Sequence, residues 1–139
     1  MLPWGEMYYF AYASNLNKKQ MKEHCPEGIA KVVATLPNFK LIVTGFSRGR
    51  GGAEATIRGS RGDKVLGAVY EISEAGLRKL DKWEEYPVNY KHLNVRVFTD
   101  GGDAYDCVTF IKTAQEEEDK PSPAYLSVIQ QGYRDWGVI

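Results

Sequence analysis

The sequence predicts a single domain of the α+β class, rich in strands with helices inserted among them, and three observations carry that prediction. At 139 residues, 43% of them hydrophobic, the chain is long enough for one core and too short for two ordinary domains. Seven short runs are rich in β-branched or aromatic residues and are bounded mostly by Gly, Pro, Asn or Asp, as strands are. Three other segments open with a side chain able to cap a helix, followed by apolar residues at helical spacing.

Met7-Tyr8-Tyr9-Phe10-Ala11-Tyr12 is aromatic and apolar throughout, which predicts a central strand buried on both faces. It ends at Ala13-Ser14-Asn15. Asn17 followed by Gln20 resembles a capping box and opens a short helix through Met21, stopped by Pro26 and Gly28. Further strands are expected at Gly28 to Leu36, Phe39 to Thr44, Ala55 to Arg58 and Lys64 to Ile72. Leu93 to Phe98 and Tyr105 to Lys112 make two more, joined by the hairpin signal Asp100-Gly101-Gly102-Asp103. Ser122-Pro123 supplies a cap and a first-turn proline for a last helix that shows Tyr125, Val128, Ile129 and Trp136 on one face. Phe46 to Gly62, rich in Gly and Arg, and the charged Gln115 to Lys120 read as mobile surface.

Composition narrows the function classes. The 18 basic and 18 acidic side chains cancel, so no global field draws the protein to nucleic acid or an anionic membrane. Two cysteines, Cys25 and Cys107, without CxxC spacing suit a reduced, cytoplasmic setting. The N-terminal residues lack the pattern of a signal peptide, and no apolar run approaches the roughly 20 residues that span a bilayer. His24 and His92 stand apart from any metal-ligand spacing, so neither a metal nor an organic cofactor is expected. Arg48-Gly49-Arg50-Gly51-Gly52 is a single copy of an RNA-binding type of tract in a chain of zero net charge, and a loop is the expected reading.

Two segments hold candidate chemistry. From the serine cap Ser73 up to Pro87, Leu77, Leu80 and Trp83 form an apolar stripe, with Arg78, Lys79 and Lys82 opposite. Glu84 follows Leu80 by four residues and Leu77 by seven, so it shares their face. A carboxylate aimed inward is costly to bury ionised, and its pKa is expected to rise, which is how a general base is tuned. The competing reading is a glutamate in a fraying last turn that reaches water or pairs with Arg96. Asp81 and Glu85 are expected on the flanks as surface charges. The second segment is the turn Tyr12-Ala13-Ser14-Asn15-Leu16, where N–H groups at a helix start are free to bind a carboxylate or an oxyanion. Its competing reading is that Ser14 and Asn15 only cap the helix.

The ordered set of motifs resembles the gamma-glutamylcyclotransferase superfamily, including AIG2-like proteins and a cyclotransferase of butirosin biosynthesis. Phe10-Ala11-Tyr12-Ala13-Ser14-Asn15-Leu16 is similar to the family's YGSNL loop, Val65-Leu66-Gly67-Ala68-Val69-Tyr70 to its GxVY strand, and Leu80-Asp81-Lys82-Trp83-Glu84 to its LDxxE helix end. Tyr86-Pro87 with Tyr90, and Pro121-Ser122-Pro123-Ala124-Tyr125, extend the match. The resemblance implies a small α+β fold built on a β-barrel-like mixed sheet flanked by helices, one domain over residues 1–139. It implies that Glu84 is the catalytic carboxylate, that Tyr12, Ala13, Ser14, Asn15 and Leu16 hold a glutamyl group, and that Tyr90 and Tyr125 line the pocket. The implied reaction is cofactor-independent: the α-amine of a gamma-glutamyl compound attacks its own γ-carbonyl, releasing 5-oxoproline and an amine or amino acid. The alternative is a noncatalytic small-molecule-binding module of the same fold. The expected partner is a small-molecule gamma-glutamyl substrate, with no nucleic acid and no membrane; a homodimer is one option for the assembly. Two departures stand out: Ala13 and Glu85 occupy positions where the family has glycine. If the first of these needs a positive φ, alanine there costs about 1 kcal/mol.

Overall fold

The computed structural model describes residues 6–47, 52–114 and 117–139. Five strands close into a barrel in the order β1 (Glu6–Ala11), β3 (Gly52–Ser73), β2 (Ile29–Ser47), β4 (Tyr90–Phe98) and β5 (Ala104–Lys112). Three helices, α1 (Lys18–His24), α2 (Glu74–Trp83) and α3 (Pro123–Asp135), complete it. β1 lies antiparallel to β3 and parallel to β5, and the parallel pairing Tyr8↔Cys107, Tyr9↔Val108 closes the ring. This is the α+β barrel that the motif set implied.

β1 is buried on both faces because it separates two core layers. Phe10 and Tyr12 point with Leu36, Ile57, Val69, Val97 and Cys107 into the layer to which all five strands contribute. Tyr9 and Ala11 face the other way, toward Met21 and Cys25 at α1 and Leu77 and Leu80 of α2. Full burial of a leucine is worth about 1.5–3 kcal/mol, so Leu77 and Leu80 are what fasten α2 to the barrel. Gly67 lets β1 and β3 approach: a Cβ there would collide with the Ala11 carbonyl and the Phe10 ring.

The three caps read from the sequence all form: Asn17 accepts from the Gln20 amide, Ser73 from Gly76 and Ser122 from Tyr125. The hairpin between β4 and β5 also forms, with Gly102 at a φ of +89°.

Two expectations are corrected. The four middle strands are two long ones, because β2 and β3 pair across most of their length and carry the ladder past Pro37-Asn38. Asn38, at a φ of 64°, stands alone opposite residues 60–63 in a local bulge, where its side chain accepts from the Gly62 amide. The strand expected at Ala55 to Arg58 forms as part of β3, but the Gly- and Arg-rich segment around it, Phe46 to Gly62, read as mobile surface, is itself strand at residues 46–47 and from residue 52 onward, and Ala53, Ala55, Thr56 and Ile57 are core residues. The tract Arg48-Gly49-Arg50-Gly51 lies outside the described residues. Of the charged run, Gln115 and Glu116 lie outside them too, while Glu118 bridges to Thr44 and Asp119 donates its amide to the Val43 carbonyl, so this part is docked on β2. No helix among the described residues is long and apolar enough to cross a membrane.

Candidate active site

The C-terminus of α2 shows how the chain presents Glu84. The amide of Glu85 donates to the Lys82 carbonyl at 3.3 Å and that of Tyr86 to the Asp81 carbonyl at 2.9 Å, with Glu85 left-handed at a φ of 54°. This pair of reversed bonds is a Schellman motif, and it ends the helix before Pro87 is reached. Glu84 is the C-cap, held by its amide to Leu80 at 2.9 Å. Its residue is 8% exposed, on the face it shares with Leu77 and Leu80.

Across from it, β1 runs into a tight turn, Ser14–Leu16, of 3-10 type. Asn17, and neither Ser14 nor Asn15, supplies the cap of α1, and the 3-10 turn has no side-chain cap of its own. That removes the capping explanation for Ser14 and Asn15. Asn15 instead donates to the Tyr9 hydroxyl at 3.0 Å. Ala13 has a φ of −138°, so the strain expected of an alanine at positive φ does not arise. Its methyl packs with the Ala55, Tyr125 and Ile129 cluster. Behind the turn, Gly132 of α3 comes so close that a Cβ would stand 2.6 Å from the Asn17 nitrogen. Trp136 donates its indole N–H to the Leu16 carbonyl at 3.0 Å, and Asn17 donates to the Val128 carbonyl.

These pieces meet in one pocket. Tyr12, Ala13, Ser14, Asn15, Glu84, Tyr90 and Tyr125 all line it, joined by Tyr9, Ala55 and Phe110. Of the residues singled out in the sequence, Leu16 alone is not in the lining; it is buried behind the turn, against Gly132. The phenols of Tyr9, Tyr12 and Tyr90 are all pushed upward, chiefly by burial and in part by the charge of Glu84. They are neutral hydrogen-bond donors at any ordinary pH. Tyr12 donates to the Phe110 carbonyl at 2.7 Å and Tyr90 to that of Ala55 at 2.6 Å, which fixes both rings.

The flanks of α2 differ from expectation. Asp81 is buried, hydrogen-bonded to His92 Nε2 at 2.6 Å, while Trp83 is 53% exposed and stacked on the His24 ring. The reason is angular: at about 100° per residue, Asp81 falls roughly 40° from Leu77, whereas Trp83 falls about 120° away. Arg96 pairs with Asp106. Tyr9, Ala55 and Phe110 were not legible as site residues, nor was the ion pair of Glu54 and Lys112, both side chains 4% exposed, next to Ala55. Asn89 donates to Glu54, and the Lys112 ammonium lies 5.6 Å from the Tyr90 ring centre. Partners 58 residues apart carry no local signal. Among the described residues, no three His, Cys, Asp or Glu side chains group as a metal site would require.

Fold and pocket together define a small barrel enzyme with one carboxylate set among neutral phenols and an amide-rich turn. Comparison with known proteins narrows the class. The AIG2-like family profile matches residues 64–138. Gamma-glutamylcyclotransferase of Mus musculus is 33% identical over 141 residues, covering 96% of this chain and 74% of its own length; that of Bos taurus is 35% identical with the same coverage. A solved gamma-glutamyl cyclotransferase superposes with a TM-score of 0.90 at 30% identity, over 96% of this chain and 81% of that one. The chain belongs to the gamma-glutamylcyclotransferase family and is a cyclotransferase enzyme.

Proposed function

We propose that the protein converts a gamma-glutamyl amine, amino acid or related conjugate into 5-oxoproline and the free amine, with Glu84 as general base and then general acid. The observation that carries this reading is that Glu84 and the turn Ala13 to Asn15 line the same small pocket. The α-amine and γ-carbonyl belong to one molecule, so holding the chain folded supplies the high effective concentration of an intramolecular attack, and no Ser or Cys nucleophile is required. The α-ammonium group loses two protons on its way to the ring amide, and the leaving nitrogen gains two as it departs. A single carboxylate that takes and returns protons closes that balance. Amide groups of the turn would hold the charge that develops on the γ-oxygen, in a pocket where burial strengthens each hydrogen bond. Tyr90 and Tyr125 shape the wall.

The setting is cytoplasmic in this reading, supported by two buried free thiols, Cys25 and Cys107, and the working partner is the small-molecule substrate alone. The experiment is an assay of 5-oxoproline release over a panel of gamma-glutamyl compounds, with Glu84→Gln as the decisive variant. Gln keeps size and shape, and general acid–base groups contribute about 10²- to 10⁴-fold, so a loss at or above the upper end is expected, with Glu85→Gln close to the parent. Release by Glu84→Gln within tenfold of the parent sinks the mechanism. Binding of 5-oxoproline with no turnover of any compound in the panel would instead mark a noncatalytic module. Turnover is expected to survive exhaustive chelation.

A further inference from the structure

The pocket's phenols are not equivalent. Tyr12 and Tyr90 each have their proton committed to a backbone carbonyl. Tyr9 does not, and the reason lies one hydrogen bond further out. Asn15 Oδ1 is 3.1 Å from Nε2 of Gln20 and 3.0 Å from Nδ1 of His24. An amide oxygen only accepts, so the donation from Gln20 turns the carboxamide oxygen toward Gln20 and His24 and its NH₂ toward Tyr9. His24 is then protonated at Nδ1, and the Asn15 NH₂ is turned onto the Tyr9 hydroxyl, 3.0 Å away. A hydroxyl that accepts from Asn15 keeps its own proton for another acceptor, and Tyr9 stands in the pocket wall beside Glu84.

His24 is itself held by Trp83, the residue before Glu84: the rings stack with centres 4.0 Å apart and planes at 16°. One buried imidazole thus touches both the helix that presents the carboxylate and the turn that faces it.

We infer that His24 is a positioning residue which, through Asn15, aims the Tyr9 O–H into the pocket, where it donates to the γ-carbonyl oxygen of the substrate. The role assigned to the carbonyl rests on the function proposed above; the aiming of the proton does not. If His24 presented an acceptor at Nδ1, the Asn15 amide could turn over, and Tyr9 would then give its proton to Asn15 and withdraw it from the pocket.

The test separates the two contacts of His24. His24→Phe keeps a ring on Trp83 and loses the donor; His24→Asn loses the ring and keeps an N–H near the place of Nδ1. Tyr9→Phe and His24→Phe should each lower kcat/KM about tenfold, the weight of one well-placed hydrogen bond, with the loss in kcat. The double variant should be no worse than either alone, because both remove the same interaction, and His24→Asn should recover most of the rate. Losses that multiply, a parent-like His24→Phe, or a His24→Asn as slow as His24→Phe would each overturn the inference. Should His24→Phe not fold, Asn15→Asp replaces the donor facing Tyr9 by an acceptor and should show the Tyr9→Phe loss; a parent-like rate there overturns it equally. A second readout needs no turnover at all: the ¹³Cζ resonance of Tyr9, assigned by its absence in Tyr9→Phe, should move in His24→Phe or Asn15→Asp and stay in His24→Asn. If it moves as expected while no gamma-glutamyl compound is consumed, the aiming stands and the proposed reaction falls; if it stays in place in either of the first two variants, the aiming falls.

Discussion

Tyr90 and Tyr125, on β4 and α3, hold the two polar groups of a single residue: the Tyr90 hydroxyl donates to the Ala55 carbonyl at 2.6 Å, and the Ala55 amide donates to the Tyr125 hydroxyl at 3.2 Å. Ala55 is buried in β3 and lines the pocket, so both aromatic walls are registered against one point of the barrel. Tyr90→Phe keeps the ring and leaves that carbonyl buried without its partner. The expected cost is about 1–3 kcal/mol of stability, read by urea unfolding, together with a fall in kcat/KM as the wall loosens. Unchanged stability would show that the bond is replaced by water.

Glu85 sits where a left-handed residue closes α2, at a φ of 54°. Glycine has no Cβ penalty in that region, so Glu85→Gly should stabilise the fold by roughly 0.5–1 kcal/mol, less whatever the hydrogen bond from Asn89 contributes. Glu84 keeps its place as the C-cap. A higher unfolding midpoint with 5-oxoproline release unchanged is the expected result, and a lower midpoint would mean that the Asn89 contact outweighs the backbone.

Gly132 joins α3 to the site turn. A Cβ there would stand 2.6 Å from the Asn17 nitrogen and 2.7 Å from the Leu16 carbonyl carbon, both backbone atoms that cannot swing aside. Gly132→Ala should push α3 away, costing about 1–3 kcal/mol as overpacking does, and should raise KM because Tyr125 travels with the helix. Gln131→Ala, at an exposed neighbour, is the control and should be close to neutral.

Both thiols are pushed up from the usual 9.0 to about 12, first by burial, with the Glu27 carboxylate adding to it at Cys25 and the Asp106 charge at Cys107. The reactive form is the thiolate, so at pH 8 each should alkylate with iodoacetamide at least about a hundredfold more slowly than in the unfolded chain. The linkage has a definite sign. The folded state holds these protons more tightly, so their contribution to stability is complete below pH 9 and is lost as pH rises toward 12. Rapid labelling of the folded protein would show that the core opens easily.

Features that rest on neighbours along the chain could be read before any folding was known. Helix caps at Asn17, Ser73 and Ser122 need a side-chain oxygen and an amide three residues on, and all three formed as read. The inward face of Glu84 followed from its spacing to Leu77 and Leu80, since a helix repeats every 3.6 residues whatever surrounds it. Long-range pairing was not legible. Ala55 to Arg58 read as a short strand, but Gly52 to Glu54 and Gly59 to Gly62 around it carry the composition of a loop, and they are strand only through the long pairing with β2, because a ladder satisfies backbone groups regardless of which side chains it bears. Asp81 looked like a flank charge until His92, eleven residues on, came within 2.6 Å and made its burial affordable. Tertiary structure alone also decided that Tyr9 shares a pocket with Glu84, that Glu54 meets Lys112, and that His24 reaches Asn15 while stacking on Trp83. Each of those contacts exists only after the barrel has closed and the helices have docked on it, and closure is a property of all five strands together.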